Sequence, residues 1–160
     1  MSAVIDDVLD AVVTTVDALG LKADGVLVPT FKRKLPTREE VIDPSTSICV
    51  CLAQVVPKPT RFCTGMLLYR LSVEVVLIQP SRADAVASLG QLSDFYGQVR
   101  DAFAATSRTK GNHPVTIPAG DDSVWMVKPG EGVFLDRPKL AQQYDYQAQL
   151  INVWVLSPTR

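Results

Sequence analysis

Alternation of apolar and polar residues is strongest just after Gly65, in the segment MLLYRLSVEVVLI (66–78). In an extended chain six apolar side chains fall on one side, while Arg70, Ser72 and Glu74 fall on the other. This period of two predicts a long strand in an antiparallel sheet that has one covered face. The six apolar positions are Leu67, Tyr69, Leu71, Val73, Val75 and Leu77.

Two segments show the three-and-four apolar spacing of amphipathic helices. Residues 2–19 follow it, with Ser2 placed as an N-cap and Gly20 just past the end. Residues 82–106 follow it after a capping-box-like start at Ser81 and Asp84. The apolar stripe of the second predicted helix comprises Val86, Leu89, Leu92, Tyr96, Val99 and Phe103.

The remaining segments are predicted to form strands and turns. A first strand begins at residues 26–28, and a second at 48–56 is apolar on both faces, which predicts a central strand or one covered by a partner. The further predictions are a stiff turn at 57–61, short strands at 115–117 and 124–127, a turn at 128–132, and a final strand at 144–156. The order α-β-β-β-α-β-β-β predicts an α+β fold, a mainly antiparallel β-sheet flanked by two main helices. We expect a single domain over residues 1–160, with a long loop at about 32–46.

Composition narrows the function classes. The 160 residues are 47% hydrophobic with a net charge of −1, which indicates a folded chain without a global field for wrapping nucleic acid. The apolar runs are far shorter than the roughly 20 residues of a spanning helix, so we expect no membrane contact. Three cysteines, an odd count, indicate free thiols, and we interpret Cys49 and Cys51 as small buried or interface residues on one strand face rather than a metal or redox pair.

Candidate catalytic chemistry is sparse. None of the motifs GxSxG, HExxH, GxxxxGK[ST] and a post-strand GxGxxG occurs. The single histidine, His113, has Ser107 and Asp121 as candidate partners only by proximity in sequence. We therefore expect no catalytic residue, no cofactor, no metal and no enzymatic activity. A small α+β enzyme or ligand-binding domain remains the alternative, and it predicts a pocket near His113.

One segment concentrates positive charge: Lys32, Arg33 and Lys34, with Arg38 four residues later. It could contact phosphates, line a channel or dock a partner. Alternatively it is a solvated loop whose charge is offset by the three acids within residues 39–43.

A second candidate surface is the bulky run Val153, Trp154 and Val155 near the C-terminus. Such side chains are typical of subunit interfaces, which makes the run a possible contact with another chain. The alternative is that the two helices cover every apolar face within one chain.

The succession of segments resembles the tail terminator, or tail-completion, proteins of long-tailed bacteriophages. The resemblance rests on the N-terminal helix, on LYRLSVEVVLIQPSRADA running into a helix that ends VRDAF, and on VFLDRP followed by YDYQAQLINVWV. It covers most of the chain, and its motifs are structural rather than catalytic.

The resemblance implies a structural virion protein of the tail and neck, assembled in the host cytoplasm. Its partners would be further copies of itself in a ring, usually a hexamer, the tail tube protein, and the head-closure protein of the neck. The ring would end elongation of the tail tube, and DNA would pass transiently and non-specifically through its channel. Loops at 31–44 and 108–122 would make the contacts, and the family offers no catalytic residue to transfer. Another neck or head–tail joining protein is the alternative within the same virion.

Overall fold

The computed structural model describes residues 2–23, 25–32, 46–55, 59–80, 93–103, 123–134 and 144–158. Within these ranges the chain forms two helices and eight strands. The helices are α1 (Ser2–Asp17) and α2 (residues 93–103). The strands are β1 (Lys22–Ala23), β2 (Val26–Leu27), β3 (Thr30–Lys32), β4 (Ser47–Val55), β5 (Thr60–Cys63), β6 (Met66–Pro80), β7 (Ser123–Phe134) and β8 (Tyr144–Pro158). The predicted α+β class is confirmed, although six strands precede α2 where the sequence predicted three.

A six-stranded sheet forms the centre of the molecule, in the order β3-β4-β6-β8-β7, with β5 pairing β6 beyond the end of β4. Strands β6 and β8 pair antiparallel over 15 residues each, from Met66 opposite Pro158 to Pro80 opposite Tyr144. Only β3, beside β4, pairs in parallel among the described strands. Strands β1 and β2 form a separate hairpin around Gly25, whose φ of +81° suits glycine. The long predicted strand after Gly65 is confirmed.

The alternation along β6 is realised as two distinct sheet faces. The six predicted positions pack against both helices in one hydrophobic cluster, and Leu71 and Val73 are almost completely buried. We call this side the inner face of the sheet and the opposite side the outer face. Ile48 and Val50 of β4 and Ile151, Val153 and Val155 of β8 complete the inner face.

Helix α1 owes its stability to packing more than to helix propensity. Its buried stripe is Val4, Val8, Val12 and Val16, all β-branched residues that favour a helix only weakly. The i, i+4 spacing places all four against the inner face, where tertiary contacts hold the helix. The helix ends at Asp17, two residues before the predicted end, and Gly20 follows with a φ of +60°.

Helix α2 confirms part of the second predicted helix. Phe95, Val99 and Phe103 form its buried i, i+4, i+8 stripe, while Tyr96, predicted to lie in the stripe, is half-buried at the margin. The remainder of that helix and the strand predicted at 115–117 lie outside the described residues. Neither of the two described helices is long and apolar enough to cross a membrane.

The turn predicted at 128–132 is wrong, because β7 continues through it as a strand with an irregular register between Pro129 and Gly132. In the described sheet β7 pairs with β8 alone, and an edge strand tolerates a proline that cannot donate. A Cβ on Gly130 would lie 3.1 Å from Asn152 Nδ2, so the glycine permits a close approach between the two strands. Gln149 Nε2 also donates to the Gly130 carbonyl at 2.8 Å. Pairing with β8 thus overrides local turn signals.

Two segments predicted as turn or loop are partly strand. The turn predicted at 57–61 overlaps strand β5, which begins at Thr60. All four residues of β5 are exposed, so the sequence lacks the apolar alternation that would predict a strand there. Lys32, predicted to begin the long loop, ends β3 instead and pairs with Val50 of β4. The rest of that loop, residues 33–45, lies outside the described residues.

Candidate assembly surface

The outer face of the sheet has a buried half and an open half. Near the Pro80 end of β6, the outer-face residues Cys49, Val76, Ile78 and Ala148 are at most 1% exposed. Towards the Met66 end the same face carries exposed Arg70, although Leu68, two residues away on this face, is 8% exposed. The two halves therefore have different environments along the same strands.

The open half is built from alternate residues of β6, β7 and β8. The register places Arg70 directly opposite Trp154, and Asn152 between Ser72 and Lys128. The long side chains of Arg70 and Lys128 are exposed, whereas the other members are half-buried. We name this surface the outer patch; it comprises Arg70, Ser72, Lys128, Leu150, Asn152 and Trp154.

Hydrogen bonds hold the polar centre of the outer patch in place. Ser72 Oγ donates to Asn152 Oδ1 at 2.9 Å across the β6–β8 pair. Directly opposite Leu150 lies Glu74, a half-buried carboxylate whose Oε2 accepts from Cys51 Sγ at 3.8 Å. Tryptophan and arginine are both residue types that are enriched at protein interfaces, and the register places Trp154 directly opposite Arg70. The patch is therefore suited to contact another protein surface.

The three residues of the predicted interface lie on different faces of the sheet. Val153 and Val155 are 1% and 0% exposed and belong to the inner-face cluster, so neither can meet a second chain without unfolding the core. Trp154 points to the outer face because successive side chains of a strand alternate. Of the three residues, only Trp154 is available for a contact between chains.

Of the predicted basic residues, the described part of the chain includes Lys32 alone. Its Nζ lies 2.8 Å from Asp10 Oδ1 and 3.8 Å from Asp6 Oδ1, both on α1. The hydrogen bond that Lys32 Nζ donates to Asp10 is the main cause that raises the pKa of Lys32 above its ordinary value. Lys32 therefore ties the edge strand β3 to α1 and is not a free phosphate-binding cation. Its predicted companions Arg33, Lys34 and Arg38 lie outside the described residues.

The cysteines occupy three different environments as free thiols. Cys49 is buried, Cys51 is half-buried on the same outer face, and Cys63 is exposed in β5. Within the described ranges no three residues of His, Cys, Asp or Glu come together as metal ligands. His113 and its candidate partners Ser107 and Asp121 lie outside those ranges.

A small cavity of about 20 Å³ lies between α2 and the inner face. Its walls are mostly apolar, but Gln147 and Gln149 of β8 also line it. Among the described residues, neither glutamine Oε1 atom has a hydrogen-bond partner, although both are buried. The volume open to the centre of a water molecule suits about one water. The two glutamine oxygens would be its hydrogen-bond partners.

The sequence predicted the outward position of some residues of the outer patch and missed that of Lys128. The alternation of β6 placed Arg70 and Ser72 opposite the core, but Lys128 lay in a predicted turn. Only the pairing of β7 with β8 brings Lys128 beside Asn152. Comparison of the chain with models of known protein families and with curated protein sequences found no match.

Proposed function

We propose that the protein is a structural component of a bacteriophage tail, a tail terminator that assembles into a ring. The ring caps the tail tube, ends its elongation and joins the tail to the head-closure protein of the neck. DNA passes through its channel without stable binding, and the net charge of −1 favours passage over a tight grip. The protein acts in the virion and carries out no catalysis.

The outer patch is the observation that carries this proposal. Both described helices cover the inner face, while the open half of the outer face presents Trp154 beside Arg70 and Lys128. A half-exposed tryptophan on a strand, directly opposite an arginine, is typical of a surface that another protein covers. Strands β6 and β8, which contain two of the segments that carry the resemblance to tail terminators, further support the proposal.

The long β6–β8 pair supplies the rigidity that a ring subunit needs. Its antiparallel register is continuous over the full length of both strands, and its inner side is packed by both helices. A subunit of this kind presents its outer patch on backbone positions fixed by ladder hydrogen bonds rather than on a loop. Fixed positions favour one repeated contact geometry, which a closed ring requires.

The mass of the purified protein, measured by light scattering over a concentration series and followed by negative-stain imaging, tests the proposal. We expect uniform rings with a central channel and a mass that is a fixed multiple of 17.4 kDa. A monomer at every concentration, with no rings on the grids, would count against a ring-forming protein.

A second measurement separates a terminator from another neck protein. Fluorescently labelled rings mixed with preassembled tail tubes should bind at one tube end and stop further addition of tube protein. Rings that leave tube growth unchanged but bind the head-side neck complex would favour a head–tail joining protein instead.

A further inference from the structure

The outer side of α1 is an acidic surface. Asp6, Asp10 and Asp17 recur at spacings of four and seven, which places them on one side of the helix. All three are exposed, and the side chains of Asp6 and Asp10 are each 63% exposed despite their contact with Lys32. Among the described residues, three carboxylates against one ammonium group make this surface, which we name the acidic stripe, negative.

The outer patch is a basic surface on the opposite side of the molecule. Arg70 and Lys128 are exposed there, and the nearest carboxylate along β6, Glu74, is half-buried against Cys51. Helix α1 packs on the inner face, so the acidic stripe lies beyond one side of the sheet and the outer patch lies on the other. Within one chain the sheet separates these two surfaces, and they cannot meet.

We propose that the acidic stripe of one copy docks on the outer patch of the next copy. This inference rests on the proposed ring and specifies the contact between its subunits. In that contact, helix α1 of one copy lies against the outer face of the sheet of the next copy. The contact uses two different surfaces of the chain, so it is heterologous, and repeated heterologous contacts form a ring when the rotation between neighbours closes. An isologous dimer would instead place like charges opposite each other.

The charges and the tryptophan have separate roles in this contact. Opposite charges steer the encounter and fix the register, while like charges reject other orientations. Trp154 lies between Arg70 and the Met126 position of β7 and supplies the apolar area that loses water on contact. Truncating Trp154 should therefore weaken assembly at any salt concentration, whereas altering the charges should change its salt dependence.

Reversing the charges on each surface, separately and together, tests the inference. One variant carries Arg70→Glu with Lys128→Glu; the other carries Asp6→Lys with Asp17→Lys, which leaves the Asp10–Lys32 contact in place. Each variant alone should assemble only at concentrations about tenfold or more above those of the natural chain, since like charges then face each other. A one-to-one mixture should recover assembly, because each reversed surface meets its complement on the other variant.

The control variant carries Lys22→Glu with Arg61→Glu, which gives the same change in net charge as Arg70→Glu with Lys128→Glu. Both control residues are exposed and lie away from the outer patch, Lys22 in β1 and Arg61 opposite Leu67. It should assemble like the natural chain, and circular dichroism should show every variant folded. If a reversed variant does not fold, the salt dependence of assembly of the natural chain tests the inference instead. Its assembly should weaken as salt rises from about 50 mM to 500 mM.

Three results overturn the inference: either reversed variant assembling like the natural chain, a mixture that stays unassembled, or assembly of the natural chain that is indifferent to salt. Rings of the natural chain together with any of these results would leave the proposed function standing and remove only this contact. Absence of rings from the natural chain would instead count against the proposed function and this contact together.

Discussion

The inner face and the open half of the outer face are built from alternate residues of the same strands, yet they differ in composition and burial. Ile151 is fully buried under the helices, while its neighbours Leu150 and Asn152 are half-buried on the other side. The inner face holds a continuous apolar cluster; the open half combines cations, a hydrogen-bonded Ser72–Asn152 pair and one tryptophan. If the outer patch recognises a partner as we propose, the same strands fold the chain with one side and bind with the other, and experiments should separate the two roles.

Truncating neighbouring residues of β8 separates the faces with the largest effect. Ile151→Ala should lower the free energy of unfolding by about 2–5 kcal/mol, because it leaves a cavity in the packed cluster. Leu150→Ala, one residue away on the outer face, should cost about 1 kcal/mol or less, because its side chain is already partly in water. Denaturant unfolding of both variants measures the difference. Equal losses would show that the outer face is as much a part of the core as the inner face.

The glutamines beneath α2 test whether the inner face needs its polar atoms. Gln149 Nε2 donates to the carbonyls of Gly130 and Leu150 at 2.8 Å each, so Gln149→Leu should cost about 1–3 kcal/mol. Gln147→Leu should cost less, since it removes a buried oxygen that has no partner in the described chain. A high-resolution crystal structure should show one ordered water in the cavity beside both Oε1 atoms. A dry cavity, or a larger loss for Gln147→Leu, would refute this account of the core.

Close approach of β7 and β8 predicts a pair of glycine substitutions with opposite signs. Gly130→Ala should destabilise by about 1–3 kcal/mol, because the new Cβ would lie 3.1 Å from Asn152 Nδ2 and 3.2 Å from Leu150 Cβ. Gly97→Ala in α2 meets nothing within 4 Å and should stabilise by about 0.4–1 kcal/mol. Thermal unfolding compares them, and a stabilising Gly130→Ala would mean that β7 does not pack on β8 as described.

The contact between Lys32 and α1 predicts the smallest effect, a dependence on alkaline pH. The raised pKa of Lys32 means that its contribution is complete below the ordinary value of 10.5 and is lost as the pH rises through the raised value. Asp10→Asn removes the main cause of the shift, so the variant should lose less stability than the natural chain over that alkaline range. Melting temperatures at neutral and strongly alkaline pH measure both losses. Identical losses would show that the Asp10–Lys32 pair does not tie β3 to the helix.

The fold could be predicted where a hydrophobic pattern repeats within one helix or strand. It could not be predicted where contacts between elements distant in sequence determine the local structure. The period of two in β6 sufficed to assign both faces, including Arg70 to the outer one. The prediction that residues 153–155 form one contact surface did not take this alternation into account. Successive side chains of a strand point to opposite faces, so only Trp154 lies on the outer face. Pro129 and Gly130 signalled a turn, and only the ladder to β8 keeps them in a strand. Lys32 meets acids of another element, a pairing that no local pattern encodes.

Hydroxyl-radical footprinting of Trp154 at low and high protein concentration tests the central claim, that the outer face assembles while the inner face folds the chain. We predict that Trp154 loses reactivity as rings form, while buried inner-face residues such as Phe103 remain unreactive at every concentration. A Trp154 reactivity that stays constant across the series, with rings or without them, would contradict the division between the two faces.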